Sequence, residues 1–447
     1  RKREPVPLTI LADFEAFHKP TNIKKGEKSV QTARQEPCSY GWLPIASNMN
    51  EDGVQFAVAE EGYKAYCGPN AAYDFLETIG DYCDRHYWTY LNQHVPMKRL
   101  DPLQQLEYKQ AKTCTICGES GCWQDWRTVI SKKTGLPKRV PSEFSKVRHH
   151  NHYNGEFLGA AHNRCNLRTS KWPSCTVFFH NMKGYDGHFL LKACTPELGH
   201  PEIIADNTEK IKCLSILRRS PFDDEGRAYR IKIIDSFAFF NSSLDTLVKN
   251  AINIGEDPED GRGRGLAKNL TRTVDFLNRV IPREGVEKAL TKKACLGKGV
   301  YPYQYVDGPH KFRQPLFDAD KNFTILPKHF RNSLGKQSDQ KLVCKAKHAE
   351  SISRMMGFET FKDYHDFYLA LDVHLLADIV TNYRLTCLSA PNCGLDPAHY
   401  FGTPSLVLDS FLSHTNTNPE LLTDPDQYQR FRHEGMRGGI SYWAKYF

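Results

Sequence analysis

The chain has 447 residues, of which 40% are hydrophobic, and a formal net charge of +8. This length allows two or more domains, and the apolar content is ordinary for a globular protein with a hydrophobic core. The sequence has no run of about 18 apolar residues and no apolar stretch after its basic N-terminus, so it predicts neither a membrane-spanning helix nor a secretory signal. We therefore expect an intracellular protein with no membrane partner.

Charge and cysteine content bear on the partners. The positive charge fits a phosphate-rich partner, although many proteins without one carry as much. Fourteen cysteines in an intracellular chain are expected to be free thiols or metal ligands rather than disulfides. Three of them are organised by their spacing: Cys114, Cys117 and Cys165.

Strands and helices are predicted to alternate, which favours an α/β fold. Apolar runs predict three strands: 8–17, 175–180 and 229–235. Apolar residues at helical spacing predict a long helix over 363–388, and Ser242 and Ser243 are typical of the N-cap of a helix that follows them. Polar stretches predict three surface loops: 18–37, 257–272 and 414–429.

Four acidic residues and a tyrosine occupy positions on predicted strands and a helix from which they could contribute to one site. Asp13 and Glu15 leave the same face of a strand, because side chains alternate along it. Tyr368 and Asp372 are four residues apart on one helix face, and Asp186 follows the second predicted strand. Carboxylates this close are costly unless cations are bound. Taken singly, each carboxylate is more often a solvated strand or helix end. Together, the set could hold two Mg²⁺ or Mn²⁺ ions about 4 Å apart, which would activate water and stabilise the leaving 3′ oxygen of a phosphodiester.

The order of these residues resembles the exonuclease region of family B DNA polymerases of the protein-primed type, found in viruses, linear plasmids and Polinton-like transposons. Three segments are similar to the three exonuclease motifs: 13–15, 181–186 and 368–372. The resemblance implies that four carboxylates bind the metal ions: Asp13, Glu15, Asp186 and Asp372. It also implies that Tyr368 positions the attacking water or the scissile phosphate, and that Asn181 and Tyr185 hold a single-stranded 3′ end.

Three shorter segments add to the resemblance. Ser243 and Leu244 resemble a motif that contacts single-stranded DNA, and Lys298 resembles a lysine that assists the exonuclease reaction. A last segment resembles the Tyr-x-Gly-Gly motif that joins exonuclease to polymerase and binds template, with Met in place of Tyr: Met436, Arg437, Gly438 and Gly439. Plainer interpretations are an N-cap for Ser243, a solvated loop lysine for Lys298 and a simple turn for the glycine pair.

The resemblance implies an RNase H-like α/β exonuclease domain that edits 3′ ends during DNA replication. The motifs that carry the polymerase carboxylates are missing from this sequence. We therefore expect a DNA-directed DNA polymerase as the parent protein and exonuclease activity alone in this chain, which we expect to be a piece of it. Expected partners are single-stranded DNA, primer–template DNA and a terminal priming protein. The expected location is the nucleus or the replication site of a virus or mobile element.

Two ligand pairs between the first two exonuclease motifs predict a tetrahedral structural Zn²⁺ site in preference to unliganded thiols: Cys114 with Cys117, and His162 with Cys165. With residues 147–152 and Asn166, this segment resembles a treble-clef HNH module of phage recombination endonucleases. His149 stands where that pattern has Asp, so we expect a stabilising or DNA-gripping role rather than cleavage. His150 would be the general base if the segment cut DNA.

Four regions are predicted along the chain. They are the first part of the exonuclease domain (1–110), the zinc-binding HNH-like insert (111–170, called the Cys/His module below), the second part of the exonuclease domain (171–390) and a connector toward an absent palm domain (391–447). Two alternatives remain open. The chain could be a non-catalytic DNA-binding module derived from a mobile element, or an HNH endonuclease that acts through the Cys/His module.

Overall fold

The structure is a computed structural model of the whole chain. It describes residues 2, 4–24, 30–50, 53–91, 96–118, 123–124, 126–130, 136–150, 155–169, 174–199, 201–207, 210–219, 221, 228–255, 269–331, 338–389, 393–415, 417, 419, 423–431 and 433. The chain divides into two compact units, Arg1–Thr403 and Pro404–Phe447. The helices of the described residues include none with the length and hydrophobicity needed to cross a membrane.

A mixed sheet of eight strands forms the centre of the first unit, and two small two-stranded sheets lie in the Cys/His module. The strands are β1 (Leu8–Lys24), β2 (Val30–Asn50), β3 (Gly53–Val58), β4 (Lys64–Cys67), β5 (Trp126–Ile130), β6 (Pro137–Pro141), β7 (Lys146–His150), β8 (Phe157–His162), β9 (Ser174–Phe179), β10 (Pro201–Asn207), β11 (Lys210–Arg219) and β12 (Ala228–Asp235). The large sheet has the order β10-β11-β12-β9-β1-β2-β3, and β4 also pairs with β2. Its central strands β1, β9 and β12 are parallel, while the other pairs are antiparallel.

The α-helices are α1 (Ala71–Leu91), α2 (Pro102–Gln110), α3 (Asn163–Thr169), α4 (Asp186–Ala193), α5 (Phe237–Phe240), α6 (Leu244–Gly255), α7 (Thr271–Val280), α8 (Gly285–Cys295), α9 (Asp339–Met356), α10 (Phe361–Leu388), α11 (Thr403–Thr415) and α12 (Pro425–Arg430). Short 3₁₀ helices occur at Met182–Gly184, Pro196–Leu198, Pro309–Arg313, Pro327–Phe330 and Pro397–His399. The mixture of helices with one large mixed sheet confirms the predicted α/β class.

Helices cover both faces of the large sheet, and side chains of β1 point alternately to one face and the other. Ile10 and Phe14 point to one face, where they join an apolar cluster with α1 and α4. Leu11 points to the other face and joins a second cluster, which α6, α7 and α10 complete. Because side chains alternate, Asp13 and Glu15 share the face of Leu11 and are directed toward α10.

The three predicted strands are confirmed by β1, β9 and β12, and the long helix by α10. The predicted loop at 18–37 is wrong, because β1 continues to Lys24 and β2 begins at Val30. This extension is polar, yet its backbone groups pair across the ladder and Lys19 binds Glu36 at 2.8 Å.

The remaining two predicted loops are those at 414–429 and 257–272. The loop at 414–429 is wrong in part, since α12 begins at Pro425 with a cap from Asp424. The loop at 257–272 lies largely outside the described residues, and α7 begins at Thr271.

Candidate functional site

One cavity of about 790 Å³ opens beside the centre of the large sheet. Its walls come from β1, the turn after β9, the start of α6, the segment after α8, and α10. Ten of the residues singled out in the sequence line this cavity: Asp13, Glu15, Asn181, Tyr185, Asp186, Ser243, Leu244, Lys298, Tyr368 and Asp372. The fold therefore brings together side chains that are up to 359 residues apart in the chain, from Asp13 to Asp372.

The parallel strands explain why the acidic residues meet. The carboxyl ends of β1, β9 and β12 point to the same edge of the sheet, which is where binding sites of α/β sheets form. Asp186 begins α4 just after β9, and α10 crosses this edge with Tyr368 and Asp372 one turn apart on the face that lines the cavity.

The turn after β9 is held in shape by Asp235, which ends β12 and is 2% exposed. Its Oδ1 accepts a hydrogen bond of 2.8 Å from the backbone N–H of Asn181, and its Oδ2 accepts one of 2.9 Å from that of Lys183. Asn181 adopts a left-handed backbone conformation with φ of 67°, which Asn tolerates better than most residues. Asp235 thus fixes the turn that presents Asn181 and Asp186.

Lys298 enters the cavity from the segment after α8. Its Nζ lies 3.0 Å from Oδ2 of Asp372, with which it forms an ion pair. Burial by itself lowers the pKa of Lys298, but attraction to Asp372 and Asp13 outweighs it, so the pKa is raised and the ammonium stays charged. The next residue, Gly299, packs so closely on the ring of Tyr368 that a Cβ there would lie 2.9 Å from Cδ2.

Three of the four carboxylates are almost fully enclosed, with exposures of 5% for Glu15, 2% for Asp186 and 1% for Asp372. Burial and repulsion from Asp372 raise the pKa of Asp13 to about 7, against an opposing effect of Lys298. Burial and repulsion from Asp13 also raise the pKa of Glu15 and of Asp186 well above the usual range. Such a cluster is strained without bound cations.

The oxygen atoms of this cluster fit hard divalent cations. Within the described part of the chain, no group makes a hydrogen bond to Oδ1 of Asp186 or to Oδ1 of Asp372, whereas Oδ2 of Asp372 faces Nζ of Lys298. Buried carboxylate oxygens without donors are the ligands that Mg²⁺ and Mn²⁺ prefer. The cluster is nevertheless looser than a single-ion site, since no three of its carboxylates have ligand atoms within 4.8 Å of one another in the described residues.

Other residues of the cavity were not identified from the sequence. Tyr303 lies on the rim with 38% of its surface exposed, and its ring makes an edge contact with Tyr301. His180 also lines the cavity, and burial together with the charge of Lys298 lowers its pKa to about 4. Tyr303 follows Lys298 by five residues, and this proximity to a predicted site residue is the signal that could have found it.

Ser243 both caps a helix and lines the cavity. Its Oγ accepts a hydrogen bond of 3.3 Å from the backbone N–H of Thr246, so it caps α6, and it also lines the cavity next to Leu244. The predicted N-cap is therefore confirmed, while a contact with DNA stays a prediction. Arg437, Gly438 and Gly439 lie outside the described residues.

A second site lies in the Cys/His module. Four ligand atoms, one from each predicted residue, lie within 4.8 Å of one another: Cys114, Cys117, His162 and Cys165. Nδ1 of His162 is 3.6 Å from Sγ of Cys117 and 3.8 Å from Sγ of Cys165. A tetrahedral zinc ion with bonds of about 2.0–2.3 Å has ligand–ligand edges of roughly 3.5–3.8 Å. The group could hold a metal ion, and its spacing is compatible with structural zinc.

The local structure supports these ligands. Cys114 and Cys117 lie in a turn that is closed by a hydrogen bond of 2.8 Å from the N–H of Gly118 to the carbonyl of Cys114. His162 and Cys165 lie at the junction of β8 and α3. Burial raises the pKa of Cys114, but hydrogen bonds from the backbone N–H groups of Cys117 and His162 outweigh it and lower the pKa overall. A thiol with a lowered pKa is more readily a metal ligand.

The histidines beside this site are placed as follows. Nδ1 of His149 lies 2.8 Å from Oδ1 of Asn166, and burial lowers the pKa of His149 although this hydrogen bond opposes the shift. His150 ends β7 next to a bulge in its pairing with β8. His152 lies outside the described residues.

Comparison with known proteins yields no neighbour. No family model, no curated protein and no solved structure matches the chain. What the chain does must therefore be inferred from the two sites themselves.

Proposed function

We propose that this chain is the 3′–5′ exonuclease region of a protein-primed family B DNA polymerase, with an RNase H-like fold. It removes nucleotides from single-stranded 3′ ends of DNA. The observation that carries this proposal is the convergence of ten separately predicted residues on one cavity, where two buried carboxylates have oxygen atoms without hydrogen-bond donors. Buried polar atoms without partners are rare in proteins unless a ligand uses them.

Four carboxylates would hold the divalent ions: Asp13, Glu15, Asp186 and Asp372. When bound, Mg²⁺ or Mn²⁺ ions supply a water nucleophile and stabilise the leaving 3′ oxygen. Lys298 keeps a positive charge 3.0 Å from Asp372 and so holds this carboxylate in place. The ring of Tyr368 packs against Gly299 and against the ring of Tyr301, whose centre is 4.8 Å away. These contacts would hold Tyr368 so that its hydroxyl orients water or phosphate.

The single strand reaches the carboxylates past Tyr185 and Asn181. A second cavity of about 1080 Å³ shares Tyr185 and Gln35 with the first and extends away from the carboxylates. It is lined by Arg34, Lys192 and Tyr73 among others, and within the described residues its one acidic side chain, Glu36, is paired with Lys19 at 2.8 Å. Positive charge with interspersed aromatic rings suits a single strand, because phosphates and stacked bases are bound without regard to sequence.

The test is release of the terminal nucleotide from a 3′-labelled single strand in Mg²⁺ or Mn²⁺. Asp372→Ala should lower the rate by roughly 100-fold or more, as expected for loss of a group that stabilises transition-state charge. Asp366→Ala is the matched control, because Asp366 lies on the same helix but is exposed. A rate for Asp372→Ala equal to that of the control would refute the assignment.

We also propose that the group of four in the Cys/His module binds a structural Zn²⁺ ion. The ion would link the turn of Cys114 and Cys117 to the junction of β8 and α3, beside a small apolar cluster of Cys114, Ala161 and Cys165. In the whole polymerase, primer–template DNA and a terminal protein would be further partners. Sequencing the gene on both sides tests this: a reading frame that continues into the polymerase motifs supports the family assignment, and one that lacks them opposes it.

A further inference from the structure

One histidine of α10 is fully buried and belongs to neither of the two sites. His365 lies three residues before Tyr368 on the same helix, and its ring packs against that of Phe312, with 4.7 Å between the ring centres. Burial lowers the pKa of His365 to about 3, so the imidazole is neutral near pH 7. A buried imidazole is costly unless its nitrogens have hydrogen-bond partners.

Both ring nitrogens of His365 have such partners, and they come from two other elements. Nε2 lies 2.8 Å from Oγ of Ser39 on β2, and Nδ1 lies 2.6 Å from the hydroxyl of Tyr301 in the segment after α8. Both partners are buried as well. Because a neutral imidazole has one donor and one acceptor nitrogen, it accepts from one hydroxyl and donates to the other. His365 thus connects α10 with β2 and with the segment after α8.

The three elements that His365 connects all carry side chains of the carboxylate cavity. Ser39 is paired with Glu15 across the β1–β2 ladder. Tyr301 follows Lys298 by three residues, and its ring centre is 4.8 Å from that of Tyr368 on α10. None of the three linked side chains is among the residues that line the cavity, so the chain of hydrogen bonds runs behind its wall.

The contact with Tyr301 bears on how the segment after α8 meets α10. The hydroxyl of Tyr364 on α10 donates to the carbonyl of Val300, which holds the backbone of the segment. The side chain of Tyr301 is held separately, by the bond of its hydroxyl to His365. Loss of that bond would free the ring of Tyr301 to move against the ring of Tyr368. A displacement of about 1 Å in an active site can lower a rate by about 100-fold.

We infer that His365 is a positioning residue of the exonuclease reaction: its bond to Tyr301 holds the segment of Lys298 against α10 and keeps Tyr368 in its orientation. It touches neither substrate nor metal. This role rests on the proposed exonuclease function. The residues expected to hold the single strand, Asn181 and Tyr185, lie in the turn after β9 and not on the elements that His365 connects. Loss of His365 should therefore lower kcat and leave KM for the strand unchanged.

The experiment measures kcat and KM for nucleotide release from a 3′-labelled single strand. His365→Phe keeps a ring among the aromatic neighbours but removes both hydrogen bonds, and it should lower kcat roughly 10- to 100-fold. The matched control is His374→Phe on the same helix. His374 is buried too, but its Nδ1 lies 2.7 Å from the carbonyl of Ala370 within α10, so kcat should stay at the wild-type value. Equal kcat values for His365→Phe and the control would overturn the positioning role.

Conservative variants separate positioning from a merely structural role. The amide of Asn can lie near the place of Nδ1, and that of Gln near the place of Nε2, so only His365→Asn keeps a partner for Tyr301. His365→Asn should therefore retain more of kcat than His365→Gln. Equal losses in these two variants would overturn the role, because the bond to Tyr301 would then not be the one that matters.

Tyr301→Phe removes the hydroxyl and keeps the ring, so it carries the test even if His365→Phe does not fold. It should lower kcat as much as His365→Phe, and the double variant should lose no more than either single one. Losses that multiply would overturn the role. Urea unfolding of each variant shows whether it is folded under the conditions of the assay.

The outcomes distinguish this role from the function on which it rests. If the wild type releases no nucleotide in Mg²⁺ or Mn²⁺, the proposed function is refuted and the role of His365 falls with it. If the wild type is active and Asp372→Ala is not, while His365→Phe and Tyr301→Phe have the wild-type kcat, the function stands and the role of His365 is refuted.

Discussion

The replacement of Asp13 by Asn should abolish exonuclease activity and yet stabilise the metal-free protein. Asn has the shape of Asp, and its Oδ1 can still accept the hydrogen bond of 3.0 Å that the backbone N–H of Phe14 donates to Oδ1 of Asp13. What the change removes is a negative charge facing Asp372, as well as a metal ligand. Active sites often combine function with local instability of this kind.

The size of the effect follows from the pKa of Asp13, which burial and Asp372 raise from 3.8 to about 7. A carboxyl group with a folded pKa above its unfolded pKa favours folding at low pH, and this contribution is lost as the pH rises from about 4 to about 7. At about 1.36 kcal/mol for each pKa unit, the ionised group costs about 4 kcal/mol at pH 8. Asp13 is only half-buried, so water in the cavity reduces this cost, and we expect a gain of about 2 kcal/mol.

The assay is urea unfolding in a divalent-metal-free buffer at about pH 5 and about pH 8, followed by tryptophan fluorescence, because Trp42 is buried opposite Ala12 on the neighbouring strand. The free energy of unfolding of Asp13→Asn should exceed that of the wild type at about pH 8, and the difference should be smaller at about pH 5. Added Mg²⁺ or Mn²⁺ should stabilise the wild type more than the variant. Equal stability without metal at pH 8, or equal stabilisation by metal, would refute the reasoning.

Three further outcomes are expected. Purified protein should contain about one zinc ion per chain, as measured by elemental analysis. The double variant Cys114→Ser with Cys117→Ser should lose this ion and unfold the Cys/His module. If no zinc is found in the wild type under reducing conditions, the site is wrong. Tyr185→Ala should weaken single-strand binding, measured by anisotropy, by roughly 1–3 kcal/mol, and an unchanged affinity excludes stacking there. Arg34→Ala with Lys192→Ala should weaken binding of a long single strand but not of a trinucleotide, because both residues line the second cavity beyond Tyr185; equal losses oppose that path.

Local patterns were sufficient to predict the elements that carry the site. Asp13 lies on a strand whose apolar residues alternate, and Asp372 lies on a helix whose apolar residues recur at helical spacing, so both elements could be recognised from the sequence. The four ligands of the Cys/His module come in two short pairs, and spacing within each pair is a local property as well.

Features that depend on distant partners could not be predicted in this way. The polar segment after Phe17 forms a strand because β2 supplies its hydrogen bonds, and nothing in its own composition shows this. Asp235 shapes the turn around Asn181 only because β9 and β12 are neighbours in the sheet. The ion pair of Lys298 with Asp372 likewise joins segments whose proximity is a result of the whole fold.

Buried carboxylates elsewhere in the first unit can be compared with those of the cavity by their hydrogen-bond partners. Asp396 pairs with the guanidinium of Arg384 at 2.7 and 2.9 Å, and Asp235 accepts three backbone N–H groups. Among the residues described, three carboxylates have a buried oxygen without a hydrogen bond: Asp186, Asp372 and Asp307. The oxygen of Asp307 lies 3.3 Å from Nε2 of His310 outside the cavity, whereas Asp186 and Asp372 both line the cavity and fit a site for an added ligand. Asp396→Asn is therefore the control of opposite sign for Asp13→Asn: breaking its buried pair should destabilise the protein by about 3–5 kcal/mol, with or without divalent metal.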